Sequence, residues 1–524
     1  MNLQGNQIIG FSFSGEGDSI FQALNPVNGQ KLMPQFKEAS KGEIAAACKR
    51  ASQAFQEYRL KSGAERALFL ELIAEHIEKT GDDLLQRCHE ETGLPLARIT
   101  GERGRTLGQL RLFASFLKEG SWVKASIDLA QPERQPLPKA DIRSMETAIG
   151  PVLVFGASNF PLAFSVAGGD TVSALAAGCS VVVKAHPAHP GTCELIGNAI
   201  MKAAKEANMP DGVFSMLHGG PAVGITLVQQ SEIKAIGFTG SYHAGMSIFK
   251  MAMNRSEPIP VYAEMGSINP VFVFSEAIDV NIDRIAEGYV QAVNLGVGQF
   301  CTNPGVLVIQ ESENSTQFIQ KVRTLFTQTS GGSMLTEGIK KQFDTAIKEA
   351  RNNTEFEVIA EGQPSDTFTG VTPLLLRVDA EAVLNSGLHL EEIFGPTSVI
   401  IVAKNMEQMI RIAESFSGHL TASMFGLNSK KIEHKNLMNI LAQKAGRLIV
   451  DGFPTGVEVC HSMVHGGPFP STTVAGSTSV GTSAIYRFTK PLCFQGFPEE
   501  LLPDELKNEN PLGITRRIDG RYTN

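Results

Sequence analysis

No two of the seven cysteines, Cys48, Cys88, Cys179, Cys193, Cys301, Cys460 and Cys493, form a C-x-x-C pair, and no cysteine–histidine cluster has zinc-ligand spacing. A structural metal is therefore not expected, and reduced thiols in a cytoplasm fit best. Runs of lysine and arginine are also missing. With a net charge of −8 and acidic residues spread along the chain, neither nucleic acid nor an anionic membrane is the expected partner. No apolar stretch approaches the roughly 20 residues that span a bilayer. Met1-Asn-Leu-Gln-Gly-Asn-Gln shows no basic segment leading into an apolar one, so neither a signal nor a membrane span is expected. Internal repeats and low-complexity tracts are absent as well. What remains is 524 residues of ordinary soluble composition, enough for two or three domains with large cores.

Residues 1–125 begin with strand-like and turn-like pieces and then turn helical. Ser40-x-x-Glu43 is a capping box opening a helix to about Tyr58, and further helices are predicted near 64–79, 82–92 and 98–117. The Pro-rich, then strand-like stretch 126–147 reads as a connection or arm. From 148, short apolar strands alternate with helices: Val152–Phe155, a helix across 161–178, Ser180–Lys184, a helix across 190–207, Val213–Leu217, a helix near 221–230, and Ile233–Phe238. That alternation predicts a parallel sheet covered on both faces, an α/β fold. A second α/β set spans 264–478, with strands at Val271–Phe274, Val306–Gln310, Thr397–Val402 and Arg447–Asp451. In the tail from Ser479, residues 484–490 are an expected arm strand that pairs with another subunit.

Several residues stand where chemistry is done. Cys301 lies in Gly298-Gln-Phe-Cys-Thr-Asn-Pro-Gly305, a small, polar, glycine-flanked turn suited to an exposed nucleophile, although one cysteine among seven is on this loop alone more often a buried small hydrophobe. Its own amide is placed to face a developing oxyanion. Asn159, in Gly156-Ala-Ser-Asn-Phe-Pro161, follows a strand, where its carboxamide would complete an oxyanion hole; on the residues alone a turn or N-cap role is the stronger reading. Lys184 leaves the strand Val181-Val-Val-Lys, placed to bond a ribose or phosphate or simply to be solvated. Gly240, Ser241 and Gly245 form a glycine-rich helix entry suited to pyrophosphate, without the full G-x-G-x-x-G pattern. Glu264 lies between apolar stretches, where burial would raise its pKa and make it a general base, or where it is a salt-bridged structural carboxylate.

Taken together, the Asn159 segment, Lys184, Gly240 to Gly245, Glu264-Met-Gly-Ser, Gly298-Gln-Phe-Cys301 and Glu392-Ile-Phe-Gly-Pro396 resemble the aldehyde dehydrogenase superfamily in order and near-family spacing. The interval from Glu264 to Cys301 is a few residues longer than in most members. The resemblance implies a Rossmann-like cofactor domain (1–125 and 148–263), an α/β catalytic domain (264–478), and a β oligomerisation arm with tail (126–147 and 479–524), giving a homodimer or homotetramer. It implies Cys301 as nucleophile, Glu264 as base and Asn159 as oxyanion donor. Lys184, Gly240, Ser241, Glu392 and Phe394 are then cofactor contacts, and no metal is needed. A coenzyme A-acylating variant is disfavoured because the base is present, and a silent structural or binding protein because Cys301, Glu264 and Asn159 are all intact.

Where many NAD-preferring members carry a glutamate three residues past the lysine, this chain has Pro187. A 2′-phosphate meets no repulsion there, and Lys184, His186 and His189 would attract it, so NADP is favoured with NAD as the competitor. Within the superfamily, Arg103-Gly-Arg-Thr-Leu-Gly-Gln-Leu-Arg-Leu-Phe-Ala114, Lys184-Ala-His-Pro-Ala-His-Pro-Gly191, His465-Gly-Gly-Pro and Asn510-Pro-Leu-Gly-Ile-Thr are similar to the α-ketoglutaric semialdehyde (2,5-dioxovalerate) dehydrogenases, with NADP-linked fatty aldehyde dehydrogenases as the alternative. The oxo-acid needs a cation at the end of the substrate tunnel, for which Arg105 is the leading candidate. Arg103, Arg105 and Arg111 pairing with surface carboxylates is the competing reading. His465 would approach substrate from the opposite loop, or be a turn residue. Thr302 is a further substrate-side candidate, and Phe160, Phe300 and Phe469 would line an apolar wall.

Overall fold

The computed structural model describes residues 3–385 and 388–523. Met1, Asn2 and Asn524 at the ends of the expected domains, and Ser386 and Gly387 within 264–478, lie outside the described residues.

The first sheet runs Val261–Glu264, Ala235–Thr239, Val152–Phe155, Val181–Lys184, Phe214–Leu217, Gln7–Ile9, Ser12–Ser14. Its first five strands are parallel, and Gln7–Ile9 adds antiparallel to Phe214–Leu217. Fully buried runs such as Val181–Lys184 are what a sheet covered on both faces requires. Register brings Thr239 opposite Glu264, Phe238 opposite Phe155, and Phe155 opposite Lys184. One carboxyl edge therefore collects the Asn159 turn, Lys184, Gly240 and Glu264, the edge where open α/β sheets bind ligands.

The early helices form as their caps dictate. Ser40 and Glu43 exchange both capping bonds at the start of Lys41–Tyr58, and Ser62 with Glu65 repeats the device at Gly63–Lys79. Gly81–Thr92 and Leu96–Glu119 follow, the latter passing beside the site. The helix expected across 161–178 is shorter, Gly169–Ala177. Its first part is a turn, in which the buried Glu102 carboxylate accepts the amides of Leu162 and Ala163 at 2.8 and 3.0 Å.

A second sheet of seven strands has the order Phe356–Glu361, Leu374–Asp379, Thr397–Ala403, Val306–Gln310, Val271–Val273, His419–Phe425, Ala445–Val450. The third sheet joins Thr489–Gln495, Ile142–Ala148, Ser126–Asp128, Arg516–Ile518 and Arg521–Thr523. The arm strand expected at 484–490 is displaced: Thr482–Phe488 is 3-10 helix packed on Gly169–Ala177, and the strand begins at Thr489. That strand pairs with Ile142–Ala148 of the same chain and lies at the sheet edge, where Pro491 removes no needed ladder bond. No helix among the described residues is long and apolar enough to cross a membrane.

Candidate active site

Cys301 sits between a 3-10 turn, Leu295–Gly298, and the strand Val306–Gln310. Gly298 has φ +65°, and a Cβ there would stand 2.1 Å from the carbonyl oxygen of Gly395, so only glycine lets the two loops touch. Beneath the turn, the buried Asn269 carboxamide donates to the carbonyls of Cys301 (2.8 Å) and Asn303 (2.9 Å). Its oxygen accepts from Ser267 and Thr421. Asn269 fixes the Cys301 loop, yet nothing in its sequence neighbourhood announces this, since its partners come from three separate segments. Thr302, expected on the substrate side, is buried under the loop.

Asn159 Nδ2 donates to the carbonyl of Gln299 at 3.1 Å, which brings the strand-end turn against the cysteine loop and uses only one of its two N–H bonds. Arg98, which sequence reasoning missed, donates to the Asn159 carbonyl at 2.6 Å and lies over the rings of Phe300 and Phe160.

Glu264, Cys301 and His465 meet in a tight cluster. His465 Nε2 is 3.0 Å from Glu264 Oε1 and 3.4 Å from Cys301 Sγ. His465 thus touches the thiol and the carboxylate directly, a contact that the sequence reading did not foresee. Ser479, also unforeseen, donates its hydroxyl to Glu264 Oε2, and its amide bonds the His465 carbonyl at 2.8 Å. Burial alone would raise the Glu264 pKa, as expected from its sequence setting. His465, Ser479 and Cys301 outweigh burial, and the carboxyl is held below its ordinary range. The Cys301 thiol moves the other way: burial first and the Glu264 charge second push it well above its usual value. The resting cluster is therefore a thiol beside an ionised carboxylate, with one imidazole nitrogen touching both, able to move a proton off sulfur when an electrophile arrives.

On the cofactor side, Ser241 caps the helix Tyr242–Met253, accepting from the Ala244 amide, and Gly240 and Ser241 lie exposed at the strand end. Gly245 is buried, and a Cβ on it would strike the Met265 sulfur at 2.7 Å. Lys184 is almost buried, which lowers its pKa to about 8, and its ammonium makes no ion pair among the described residues. A bare ammonium at a sheet edge beside an open helix entry fits a dinucleotide phosphate. Glu392 and Phe394 line one cavity with Gly298 and Asn303, and burial pushes the Glu392 carboxyl up to about 7. Two expectations are corrected here. Burial keeps His186 neutral, its pKa well below the usual histidine value, and its Nδ1 accepts the Ala188 amide. His189 is wholly buried, bonded to Ala157 and Cys193. His186 therefore offers no charge to a 2′-phosphate, and His189, whose pKa Cys193 and Ala157 lift to about 9 against burial, spends both ring nitrogens on those partners; Lys184 remains, with Pro187 half-buried nearby.

Three arginines had been in competition. Arg111 pairs with Glu78 at 3.0 Å on the surface, and Arg103 bonds the Gly81 carbonyl. Arg105 instead turns toward the site: it lies over Phe164 (5.1 Å) and Phe160 (5.7 Å) and interacts electrostatically with Glu102 first, then with Cys301 and Glu264. Its Nε and Nη2 are buried without a hydrogen-bond partner. Phe160 and Phe300 meet edge to face at 5.2 Å, forming an aromatic wall. Phe469 does not join it; it is exposed and packs against Tyr242.

The aldehyde dehydrogenase family profile matches residues 13–478. The chain is 46% identical to α-ketoglutaric semialdehyde dehydrogenase 2 of Azospirillum brasilense, over 99% of this chain and 100% of that protein. It is 43% identical to α-ketoglutaric semialdehyde dehydrogenase of Acinetobacter baylyi, over 99% of each. Among solved structures, γ-glutamyl-γ-aminobutyraldehyde dehydrogenase of Burkholderia cenocepacia superposes with TM-score 0.80 at 21% identity, covering 94% of this chain and 97% of that one. Betaine aldehyde dehydrogenase of Staphylococcus aureus, in complex with NAD+, gives 0.80 at 18% identity, covering 95% and 96%. With the match running through every element that builds the site, the chain belongs to the aldehyde dehydrogenase family and is an oxidoreductase acting on aldehydes.

Proposed function

We propose that this enzyme oxidises 2,5-dioxovalerate (α-ketoglutaric semialdehyde) to 2-oxoglutarate with NADP. The observation that carries the substrate is Arg105, a guanidinium with two buried, unpartnered nitrogens set against an aromatic wall and coupled to Cys301. Glu102 balances part of the Arg105 charge without hydrogen-bonding to it, so two buried N–H groups remain unsatisfied, and a substrate carboxylate would complete them with charge-assisted bonds. The names of the two relatives above agree with that chemistry.

The residues act in sequence. His465 Nε2 takes the proton from Cys301 Sγ, and the neighbouring Glu264 carboxylate stabilises the imidazolium. The sulfur adds to the aldehyde carbon, and the oxyanion of the thiohemiacetal is held by the free N–H of Asn159 and the Cys301 amide. The nicotinamide cofactor, when bound, supplies the hydride acceptor. Glu264 then deprotonates a water that cleaves the thioester at Cys301, releasing the acid. Lys184, Gly240, Ser241, Glu392 and Phe394 would hold the dinucleotide, with buried Gly245 packing the helix entry against Met265.

Glu264→Gln keeps the shape and removes the base. In single-turnover measurements, NADPH formation is expected to persist as a burst while steady-state turnover falls by about 10²–10³-fold. An unchanged steady-state rate removes Glu264 from deacylation. The cofactor reading rests on Pro187 and Lys184. Initial rates should give kcat/KM at least about tenfold higher with NADP than with NAD, a difference of about 1.4 kcal/mol. The reverse order would assign NAD. The edge strand Thr489–Gln495 supports assembly into a dimer or tetramer, and light scattering after size exclusion should report at least twice the chain mass. The test of the substrate is the NADP reduction rate with 2,5-dioxovalerate against a long aliphatic aldehyde. Preference for the aliphatic chain would move the enzyme to the fatty-aldehyde branch, which the Phe160–Phe300 wall would suit.

A further inference from the structure

The geometry points to a second property of the Cys301 cluster: it is a reversible binding site for a divalent ion of zinc's class, which blocks the nucleophile when it binds. The inference rests on the positions of three side chains and not on the identity of the aldehyde.

Sγ of Cys301, Nε2 of His465 and a carboxylate oxygen of Glu264 all lie within 4.8 Å of one another. Thiolate, imidazole and carboxylate together are a zinc donor set, and three protein ligands with one open position are the form taken by exchangeable sites. Zinc sits about 2.3 Å from sulfur and about 2.0–2.2 Å from nitrogen or oxygen, so neighbouring ligands of a tetrahedral ion stand about 3.3–3.6 Å apart. The nitrogen-to-sulfur spacing is already 3.4 Å and the nitrogen-to-oxygen spacing 3.0 Å. An ion therefore needs only small movements of the side chains.

The cluster is also held in place before any ion arrives. Ser479 ties Glu264 Oε2, leaving Oε1 toward the imidazole. Thr478 accepts the His465 amide at 2.8 Å, and Asn269 pins the Cys301 carbonyl. Charge balances: on binding, Cys301 loses its thiol proton to solvent, and thiolate plus carboxylate neutralise the dication in a buried setting. One feature sets the affinity below that of a structural zinc. His465 Nδ1 is buried with no partner, whereas ligating histidines ordinarily donate that N–H outward. The site is thus suited to inhibition that a chelator reverses.

Cobalt(II) is the probe, titrated into the full chain under reducing, thiol-free conditions. The expected result is one cobalt per chain with thiolate-to-metal absorption and the intense visible bands of four-coordinate cobalt. Zinc should bleach the signal, and EDTA should restore aldehyde oxidation to zinc-treated enzyme. Cys460 and Cys493 are the other thiols not fully buried, so the C460S/C493S double variant must retain the bands. C301A and H465Q must lose them, with folding checked by circular dichroism and NADP binding. Alkylating Cys301 in already folded enzyme must also abolish them, a control that needs no variant to fold. The site is overturned if the wild type gives no bands, or if they survive in folded C301A or H465Q or after alkylation.

Discussion

Cys301→Ala is expected to abolish aldehyde oxidation, lowering kcat by on the order of 10⁵-fold, while the affinity for NADP stays within a factor of about two. The reason is geometric. The turn carrying Cys301 is held from below by Asn269 and from the side by the Gly298–Gly395 contact, so loss of the thiol leaves the backbone where it was. Lys184, Gly240 and Ser241, proposed to hold the dinucleotide, belong to the strand ends of the first sheet and not to that turn. Turnover is read from NADPH absorbance and binding from calorimetric titration. Retained turnover would overturn the nucleophile assignment; lost NADP binding would mean that the loop supports the cofactor site as well.

Arg105→Leu separates the two substrate branches. For 2,5-dioxovalerate, kcat/KM is expected to fall by about 10²–10³-fold, the consequence of about 2–5 kcal/mol for truncating one partner of a buried, hydrogen-bonded charge pair. For a long aliphatic aldehyde the same variant should change kcat/KM by only a few-fold, because Phe160, Phe164 and Phe300 remain to receive the chain. Equal losses for both aldehydes would make Arg105 a packing residue of the helix Leu96–Glu119. Arg105→Lys refines the test: it keeps the charge but not the planar fork, so partial recovery for the oxo-acid alone marks a carboxylate contact.

Much of this was legible in the residues. The alternation of buried β-branched strands with helices after residue 148 required a covered parallel sheet, because such runs leave no solvent face. Capping at Ser40–Glu43 was readable since it is a local exchange of bonds over three residues. Local competition misled where a distant group intervened: the turn at 161–168 follows Pro161, but it is Glu102, on another helix, that takes its amides. Likewise, no sequence spacing separates Arg105 from Arg103 and Arg111. Arg98, Glu102 and Arg105 share the helix face turned to the site, and only packing tells which face that is.

Periodicity and turn chemistry, which act within a few residues, made legible the alternation of strands and helices after residue 148, the glycine-lined cysteine turn, and the strand-end positions of Asn159, Lys184 and Gly240. How those groups behave was set by packing. The pKa of Glu264 falls instead of rising because His465 and Ser479 arrive from a loop far along the chain, and His465 meets Cys301 across 164 residues. Electrostatic and ligand-forming contacts act through space, over a few ångströms, with no regard to separation along the chain, so this cluster of base, thiol and imidazole exists only once the fold has closed.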